Sequence, residues 1–352
     1  MTDNNLVEAE SLRQFCIEAL EKAGVPADDA RIVAEMQVEA DLRGVYTHGT
    51  GAIYGYVQRL KQNGTNPRPN ITIVKESPHH ALVDGDRGLG QLVAFKSMEM
   101  CVAKARQNGM AAVGVRRSTH FGATANYSMM ALEDDLIGFA TTNAAAMIAP
   151  TGGLTGIFGT NPVSFAVPTG HSYPMVLDIA VTVAAQQKIV QALREERKIP
   201  LSWGLDSEGK PTNDPRTALL SGLMPPIGEY KGYGLAMVVE VLSAILTGAY
   251  FGRATEPSTW RPDSTLNVGH FFAALDPTIF MPIDEFKSRM EKLIEQIRGS
   301  TLMPGVEKVY IPGEIEYQKK EQSLKKGIPL PPATLSQLER LQQEMELETR
   351  LF

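Results

Sequence analysis

Apolar residues recur at intervals of three and four in several parts of the chain, which predicts amphipathic helices. The predicted helices lie at residues 8–23, 30–40, 53–60, 89–107, 284–297 and 334–345. Shorter apolar runs bounded by turn residues predict strands at residues 71–75, 81–83, 110–115, 136–142, 163–167, 175–180 and 268–275. Strands and helices alternate from residue 71 onward, so the pattern predicts an α/β protein.

The two ends of the chain are predicted to pack together in one helical domain. Asp28 is expected to cap the second helix, and Thr334 to Gln337 matches a capping box for the last one. The last helix places Leu338, Leu341 and Met345 on one face. That face is expected to dock on the N-terminal helices.

The longest apolar stretch, Gly234 to Gly252, contains Glu240 and several small residues. A buried core helix over Gly234 to Gly248 therefore explains it better than a membrane span. Met1 to Asn5 lacks the basic start and apolar run of a signal peptide. We therefore expect a cytoplasmic protein without a membrane partner.

Composition narrows the class of protein further. The 352 residues are 43% hydrophobic and 21% charged, which leaves room for two or three domains with a sizeable core. The formal net charge is -6 and no basic cluster is present, so a nucleic-acid partner is not expected. Cys16 and Cys101 lie far apart in apolar helical patterns, which predicts buried, reduced thiols.

The first candidate for chemistry is His48, which follows a helix end at Gly44 and precedes the helix that begins near Ile53. Backbone on both sides fixes its position, and the near-neutral pKa of histidine suits it to proton transfer. Taken alone, a histidine that satisfies loop carbonyls explains this pattern more often than a catalytic one. The remaining motifs decide between the two interpretations.

A second isolated histidine, His120, stands where a strand ends and small residues open a helix at 122–125. The first N–H groups of such a helix suit an anion such as a pyrophosphate; a start shaped only by packing is an equal alternative. Gly, Asn and Thr also cluster at later strand ends, as in Gly159 to Pro162. Such clusters indicate backbone that closely approaches a ligand or another chain segment.

Several familiar motifs are absent. Gly204 to Lys210 has the spacing of a P-loop, but Pro211 stands where Ser or Thr must hold magnesium, so a turn is predicted. Gly232 begins a dinucleotide fingerprint, yet Met237 occupies its third glycine position, so a Rossmann domain is not predicted. No metal-chelating spacing and no nucleophile elbow is present, so neither a metal site nor acyl chemistry is expected.

Seven motifs, in order along nearly the whole chain, resemble the type-2 malate/L-lactate dehydrogenase family. That family includes ureidoglycolate, sulfolactate, diketogulonate and piperideine-2-carboxylate dehydrogenases or reductases. The motifs lie at 43–49, 119–123, 149–153, 159–162, 177–180, 230–234 and 311–314. The resemblance implies a homodimer with a non-Rossmann NAD(P)-binding α/β fold, which combines a mixed, largely antiparallel sheet with a helical domain built from both chain ends.

Three domains are expected on this basis. Residues 1–64 with 330–352 form the helical domain that carries the catalytic histidine. Residues 65–116 with 298–329 form a small α/β domain, and residues 117–297 form the cofactor-binding domain.

The resemblance also implies a role for individual residues. His48 matches the histidine that exchanges a proton with the substrate oxygen, and Thr47 orients it or relays the proton. His120 matches a residue at the nicotinamide and substrate, which is catalytic in some members, and Thr160 matches a substrate-side contact. The matched cofactor contacts are His120, Gly122, Ala123, Thr124, Asp178, Ile179, Ala180, Lys231, Gly232, Pro312, Gly313 and Glu314.

Two positions depart from the family pattern. Many members clamp the substrate carboxylate with an arginine four residues after the catalytic histidine, where this chain has Ala52. Either Arg43, Arg116, Arg117 or a partner-chain residue replaces it, with Arg43 our substrate-binding candidate, or the substrate is not an ordinary 2-hydroxy acid. Lys188 stands where the piperideine reductases have an aspartate, which argues against imine reduction.

The sequence therefore predicts an NAD- or NADP-dependent oxidoreductase. It is expected to move a hydride between nicotinamide and C2 of a small 2-hydroxy or 2-oxo acid, with His48 as general acid/base and malate or L-lactate as first candidates. The alternatives are reduction of another 2-oxo acid or a cyclic imine, and a cofactor-independent isomerase or lyase that uses His48 and His120. A cofactor-binding member without turnover and an assembly module also remain open.

Overall fold

A seven-stranded mixed sheet forms the centre of the structure, a computed structural model that describes residues 6–255 and 261–351. From one edge to the other the strands are β2 (Thr72–Glu76), β3 (His80–Asp84), β4 (Met110–Ser118), β10 (Val268–Leu275), β5 (Ile137–Thr142), β6 (Val163–Val167) and β7 (Met175–Ile179). Only β3 and β4 pair in parallel; the other neighbours are antiparallel. The predicted mixed, largely antiparallel sheet is therefore confirmed.

The parallel pair is joined by a crossover helix, α4 (Gly90–Asn108), which packs against the sheet. The helix ends at Gly109, whose φ of 82° is the left-handed C-cap conformation expected from Asn108-Gly109. Val93, Met98 and Cys101 of α4 share a buried core with Val113 and Phe272 of the two central strands. This core fixes the strand ends from which the candidate site is built.

Both ends of the described chain contribute to a second core. The helices α1 (Ala9–Lys22), α2 (Ala27–Leu42), α3 (Ile53–Lys61) and α11 (Pro332–Met345) pack together, and β1 (Leu6–Val7) pairs with β11 (Ile328–Pro329). Leu338 and Leu341 of α11 are buried against Leu12 and Phe15 of α1 and their neighbours, as the apolar stripe predicts. The division into three domains stays a prediction.

The remaining elements surround the sheet. They are α5 (Ala125–Ser128), α6 (Gln186–Arg194), β8 (Gly204–Leu205), β9 (Pro211–Thr212), α7 (Pro215–Ser221), α8 (Tyr230–Glu240), α9 (Ile283–Arg298) and α10 (Glu314–Lys326). The segment with P-loop spacing is the turn of the β8–β9 hairpin, as predicted. The predicted apolar helix begins earlier than expected, at Tyr230, and widens into a π-helical segment at Val241–Ile245.

Both predicted helix caps are wrong. Asp28 lies inside α2, whose N-cap is Pro26, and Thr334 lies inside α11, whose N-cap is Pro331. Pro26 and Pro331 themselves have extended backbone, with ψ angles of 147° and 148°, so each helix begins at the residue that follows. Neither helix has a side-chain capping hydrogen bond.

The predicted inward face of α9 is mostly not buried. Of its five apolar residues only Ile294 is buried, while Leu293 and Ile297 are exposed. Amphipathic periodicity identifies an apolar face but does not specify what covers it.

Three further expectations concern burial and membrane association. Cys16 and Cys101 are both buried, free thiols, as expected. Within residues 6–255 and 261–351, no helix is both long and apolar enough to cross a membrane. Met1–Asn5, on which the expected lack of a signal peptide rests, lie outside the described residues.

Candidate active site

The His48 loop is tied to the end of α2 by a buried carboxyl. Asp41 accepts hydrogen bonds through Oδ2 from the backbone N (2.9 Å) and Oγ1 (2.6 Å) of Thr50. A Cβ on Gly49 would lie 1.8 Å from Asp41 Oδ1, so only glycine permits this close approach. Burial raises the pKa of Asp41 to about 7, although the bonds from Thr50 oppose that rise. The hydrogen bonds from Thr50 and the close approach of Gly49 to Asp41 together hold the short 3-10 turn Tyr46–His48 between α2 and α3.

The two predicted histidines lie side by side. The rings of His48 and His120 are stacked with centroids 5.7 Å apart and an interplanar angle of 17°. Thr47 Oγ1 lies 3.0 Å from His48 Nδ1, and Tyr56 Oη lies 2.8 Å from His120 Nδ1. The structure therefore brings together residues 72 positions apart in sequence and adds Tyr56, which the sequence reasoning missed.

Both imidazoles are electrically neutral near physiological pH. Burial lowers the pKa of His48 from its ordinary value. Burial and the neighbouring His48 together lower the pKa of His120 to about 3. A neutral imidazole has one nitrogen that accepts a proton and one that donates, so the pair is suited to proton exchange with a substrate oxygen.

Side chains of β4 and β10 position His120. Thr119 Oγ1 accepts a hydrogen bond from Gly90 N (2.9 Å) and donates one to Gly88 O (3.1 Å), which anchors the end of β4 on the start of α4. The fully buried His270 lies 2.7 Å from Ser118 Oγ and stacks on Phe121 at 4.6 Å. His270 supports the residues on both sides of His120, and no sequence motif identified it.

Unpartnered polar atoms lie next to the histidine pair. Gln37 Oε1 and both polar side-chain atoms of Gln91 are buried without a hydrogen-bond partner among the described residues. Burial raises the pKa of Tyr56, and the nearby side chains of Gln91 and Gln37 oppose that rise. Neither side chain reaches hydrogen-bond geometry to the Tyr56 hydroxyl. Buried polar groups are normally paired, so this region has spare hydrogen-bonding capacity for a polar ligand.

The predicted cofactor contacts Gly122, Ala123 and Thr124 lie directly after the histidine pair and are buried. Gly122 has a φ of 81°, and a Cβ there would lie 2.8 Å from Gln37 Oε1. The predicted helix that follows, α5, has four residues only, and its first N–H, that of Ala125, donates to Asp178 Oδ2 at 3.0 Å. The N–H of Ala125 is therefore occupied by a side chain of the protein, and binding of a cofactor by the preceding residues 122–124 stays a prediction.

The same hydrogen bond connects the histidine segment with the Asp178 to Ala180 motif at the end of β7. Asp178 as a whole residue is exposed to solvent. The protein packed around its carboxyl group nevertheless desolvates that group, and this raises the pKa of Asp178 to about 6. The N–H of Ala125 and the charge of Arg43 oppose that rise, and Glu316 adds to it.

Arg43, the candidate substrate residue, is only 6% exposed. Burial lowers its pKa, whereas the negative charges of Glu39, Glu316 and Asp178 raise it. Arg43 therefore lies among carboxylates beside the Asp178 motif. Ala52 packs against the helical core.

The remaining predicted contacts are connected to the two ends of β7. The carbonyl of Pro312 accepts a hydrogen bond from Val176 N (2.9 Å), and Gly313, with φ 86°, packs against Val176. The carboxyl of Glu314 is buried and bound by Lys308, Arg298 and Ile311 N, so its side chain serves the fold.

Beyond β7, the carbonyl of Thr160 accepts a hydrogen bond from Val181 N (2.8 Å), directly after Ala180. The carbonyl of Val181 in turn accepts one from Ile227 N (2.9 Å), just before α8. Lys231 is exposed in the first turn of α8, and its ammonium has no partner among the described residues. Gly232 is buried, and a Cβ there would lie 2.3 Å from Ile227 O, so this close approach requires glycine.

No group of three or more His, Cys, Asp or Glu side chains within the described parts of the chain has the arrangement of a metal site. The polar side chains that the structure brings together at this site are the imidazole pair and Tyr56.

Comparisons with known proteins identify the family to which the chain belongs. A family model described as malate/L-lactate dehydrogenase matches residues 7–339. L-sulfolactate dehydrogenase of Methanocaldococcus jannaschii is 40% identical over 97% of this chain and 98% of its own length. Malate dehydrogenase of Pyrococcus abyssi is 36% identical over 96% and 95%. Ureidoglycolate dehydrogenase (NAD(+)) of Escherichia coli O157:H7 is 33% identical over 92% and 91%.

Solved structures give the same result for the fold. The sulfolactate dehydrogenase structure from M. jannaschii superposes with a TM-score of 0.90, covers 98% of both chains and is 40% identical. Malate dehydrogenase from Entamoeba histolytica superposes with a TM-score of 0.92, at 30% identity and with 97% and 98% of the two chains covered.

Proposed function

The chain belongs to the malate/L-lactate dehydrogenase family, and from that premise we propose that His48 is the general acid/base in hydride transfer between nicotinamide and C2 of a small 2-hydroxy acid. The protein is an NAD(P)-dependent dehydrogenase that acts on a CH–OH group. Malate is the first candidate substrate. Sulfolactate, which similar proteins oxidise according to their names, shares with malate a second anionic group on C3.

The observation that carries the proposal is the stacked pair of neutral imidazoles with one hydroxyl on each Nδ1. When bound, the nicotinamide accepts the hydride in oxidation and supplies it in reduction. His48 then needs its Nδ1 hydrogen directed at Thr47, which leaves Nε2 free to take the substrate hydroxyl proton and to return it in the reverse direction.

His120 has a different role in this proposal. We assign the phenol of Tyr56, which lies 2.8 Å from His120 Nδ1, as the hydrogen-bond donor, so that the ring hydrogen of His120 is carried on Nε2. That N–H is available as a hydrogen-bond donor to the substrate oxygen. Because the pKa of His120 is lowered to about 3, its ring stays neutral and does not repel His48 when His48 is protonated.

The residues present suit a dinucleotide. Spare polar atoms of Gln37 and Gln91 lie beside the histidines. The ammonium of Lys231, which has no partner within the described parts of the chain, lies at the start of an 11-residue helix. A cation and a helix N-terminus together favour a phosphate group. We therefore assign the phosphates to Lys231 and Gly232, and the nicotinamide end to the segment from His120 to Thr124.

We also propose that the protein acts as a homodimer. The helix α8 and its π-helical continuation expose one continuous apolar stripe, which we call the α8 stripe. It consists of Tyr230, Met237, Val238, Val241, Ile245 and Leu246. Soluble proteins rarely expose so many large apolar side chains together unless a partner covers them. A second copy of the chain is the partner that this proposal assigns.

The test combines cofactor binding with turnover. Titration of NADH and NADPH should give a saturable change in nicotinamide fluorescence, and malate and sulfolactate should be oxidised with the cofactor that binds. His48→Ala should reduce turnover by about 10²–10⁴-fold while cofactor affinity stays near that of the wild type. His79→Ala, at an exposed histidine on the far edge of the sheet, is the matched control and should behave as wild type.

Two outcomes would contradict the proposal. Absence of a fluorescence change with either cofactor would exclude the dehydrogenase chemistry and favour the cofactor-independent alternative. Loss of cofactor affinity in His48→Ala, with turnover retained at saturating cofactor, would mean that His48 binds cofactor rather than exchanging the proton.

A further inference from the structure

The Thr160 turn, residues 159–162, is held in an unusual backbone conformation by one buried side chain. Asn161 is fully buried and has a φ of 35°, in the left-handed region that non-glycine residues rarely adopt. Such a conformation persists only where the surrounding structure imposes it. The residue that precedes it is Thr160, which the family resemblance implies is a substrate-side contact.

The amide of Asn161 uses all of its main hydrogen-bonding directions. Its Oδ1 accepts from Ala144 N at 3.1 Å, and its Nδ2 donates to Ala236 O at 3.0 Å and to Glu240 Oε2 at 2.8 Å. Asn161 therefore joins the loop after β5 to helix α8. A side chain held on three sides in this way fixes its own backbone and, with it, the direction of Thr160.

Glu240 is the charged member of this network. It is 4% exposed, and its second oxygen, Oε1, accepts a hydrogen bond from Gly252 N at 2.7 Å. No lysine or arginine among the described residues forms an ion pair with it. Burial raises the pKa of Glu240, while the hydrogen bonds from Gly252 and Asn161 oppose that rise. A buried carboxylate without a cation is costly, so the donors around it must be well placed.

The position of Glu240 along the chain is also unusual. It is the last residue of α8, directly before the π-helical segment at Val241–Ile245. Single π turns are rare and are found mostly at functional sites, because the extra residue per turn redirects the side chains next to it. Here the change in helical geometry occurs at the residue that contacts Asn161.

We propose that Glu240 is a positioning residue for the dehydrogenase reaction: acting through Asn161, it fixes the Thr160 turn against α8 and so places Thr160 for the 2-hydroxy acid. This inference rests on the proposed function and deepens it. It assigns to Glu240 an effect on the organic substrate that does not extend to the cofactor.

The test exchanges donor and acceptor across the Asn161–Glu240 hydrogen bond. The carboxyl of Glu240 accepts from the N–H groups of Asn161 and Gly252, and Glu240→Gln leaves an acceptor for only one of them. In Asn161→Asp, the new carboxylate faces the carboxylate of Glu240. The double variant N161D/E240Q restores one donor and one acceptor across the pair and keeps the net charge of the wild type. Glu295→Gln, at an exposed position of α9 whose side chain has no hydrogen-bond partner among the described residues, is the matched control.

Each single variant should raise the KM for malate by about tenfold or more and leave the NADH dissociation constant within about twofold of the wild type. The double variant should be less impaired than the product of the single effects, because it restores the hydrogen bond between positions 161 and 240 while the carbonyl of Ala236 still lacks its donor. If Asn161→Asp does not fold, Glu240→Asp replaces it. That variant keeps the charge but withdraws the carboxyl from Asn161. It should raise the KM for malate without changing the NADH dissociation constant.

Three results would overturn the inference. These are wild-type KM values in both single variants, a double variant as impaired as the product of the single effects, and a cofactor dissociation constant that rises in parallel with KM. If the wild type neither binds NADH nor oxidises a hydroxy acid, the proposed function fails and the inference falls with it. Wild-type activity together with normal Glu240→Gln kinetics rejects the inference alone.

Discussion

His48 and His120 differ in their surroundings although their rings are stacked. His120 is hydrogen-bonded to Tyr56, and its pKa is lowered to about 3, so it remains neutral throughout the usual working range of enzymes. His48 is hydrogen-bonded to Thr47, and burial lowers its pKa from the ordinary value. His48 is the member of the pair to which we assign the proton exchange, so the pH dependence of turnover is expected to report its protonation.

The first prediction concerns the pH dependence of oxidation. His48 accepts a proton only when neutral, so kcat/KM for the hydroxy acid should rise with pH through the pKa of His48 in the free enzyme. Because burial lowers that pKa, the midpoint of the acid limb should lie below about 6.5, the ordinary histidine value. Initial rates across the acid range, with the melting temperature measured in the same buffers, provide the test. A midpoint at or above the ordinary value would show that His48 is not the titrating base.

At this scale the sequence predicts isolated polar residues at chain junctions better than polar residues inside regular elements. His48 and His120 stand out because glycine and small residues flank them. Tyr56 lies on the apolar face predicted for α3, and only its hydroxyl, which requires a partner when buried, points to a role. His270, in the central strand β10, and Glu240, at the end of α8, act through contacts more than 75 positions away in sequence, which no local pattern specifies.

At the scale of elements, long periodic segments were predicted well because burial on one face imposes the period. The helix ends were predicted less well. Asp28 and Thr334 have the residue types of caps, yet Pro26 and Pro331 determine where the helices begin. The π-helical segment after Glu240 was not predicted at all, because its composition is that of an ordinary apolar helix.

A second prediction concerns the attachment of the C-terminal segment to α1. Glu18 accepts hydrogen bonds from Glu348 N (2.7 Å) and Thr349 N (2.9 Å). Partial burial would raise the pKa of Glu18, but these N–H groups outweigh it and lower the pKa to about 2. The stabilisation is therefore complete above the unfolded-state pKa of about 4.3 and is lost as the pH falls toward 2.

Glu18→Gln should accordingly lower the free energy of unfolding at neutral pH by about 1–3 kcal/mol, with the difference disappearing near the folded-state pKa. Chemical denaturation of both proteins at several pH values measures this. Glu21→Gln, at an exposed position of the same helix, is the control and should show no such trend. A loss of stability that is independent of pH would mean that the carboxylate charge plays no part.

At the scale of the whole molecule, the sequence predicted the class of fold but not the strand order. The pairing of β10 with both β4 and β5 joins segments separated by more than 120 residues. Register over such distances depends on packing rather than on local pattern. The family resemblance supplied the mixed, largely antiparallel sheet, and the periodicity alone left the pairing open.

A third prediction tests the α8 stripe. A stable interface buries about 800 Å² on each partner, so a charge within the stripe should prevent association. Ile245→Glu should be monomeric in light scattering at concentrations where the wild type is dimeric. Leu324→Glu, which alters an exposed apolar residue of α10 outside the stripe, should remain dimeric. A dimeric Ile245→Glu protein, or a monomeric wild type, would rule out this surface as the interface.

The position of α11 has a consequence for synthesis on the ribosome. Thr334 and Gln337 of α11 approach Gly51, three residues after His48, and α11 completes the core begun by α1. A nascent chain that ends before α11 therefore presents uncovered apolar helices and a loosely held His48. Truncated translation products should aggregate or be degraded, and oxidation of the hydroxy acid should begin only after the final helix has emerged.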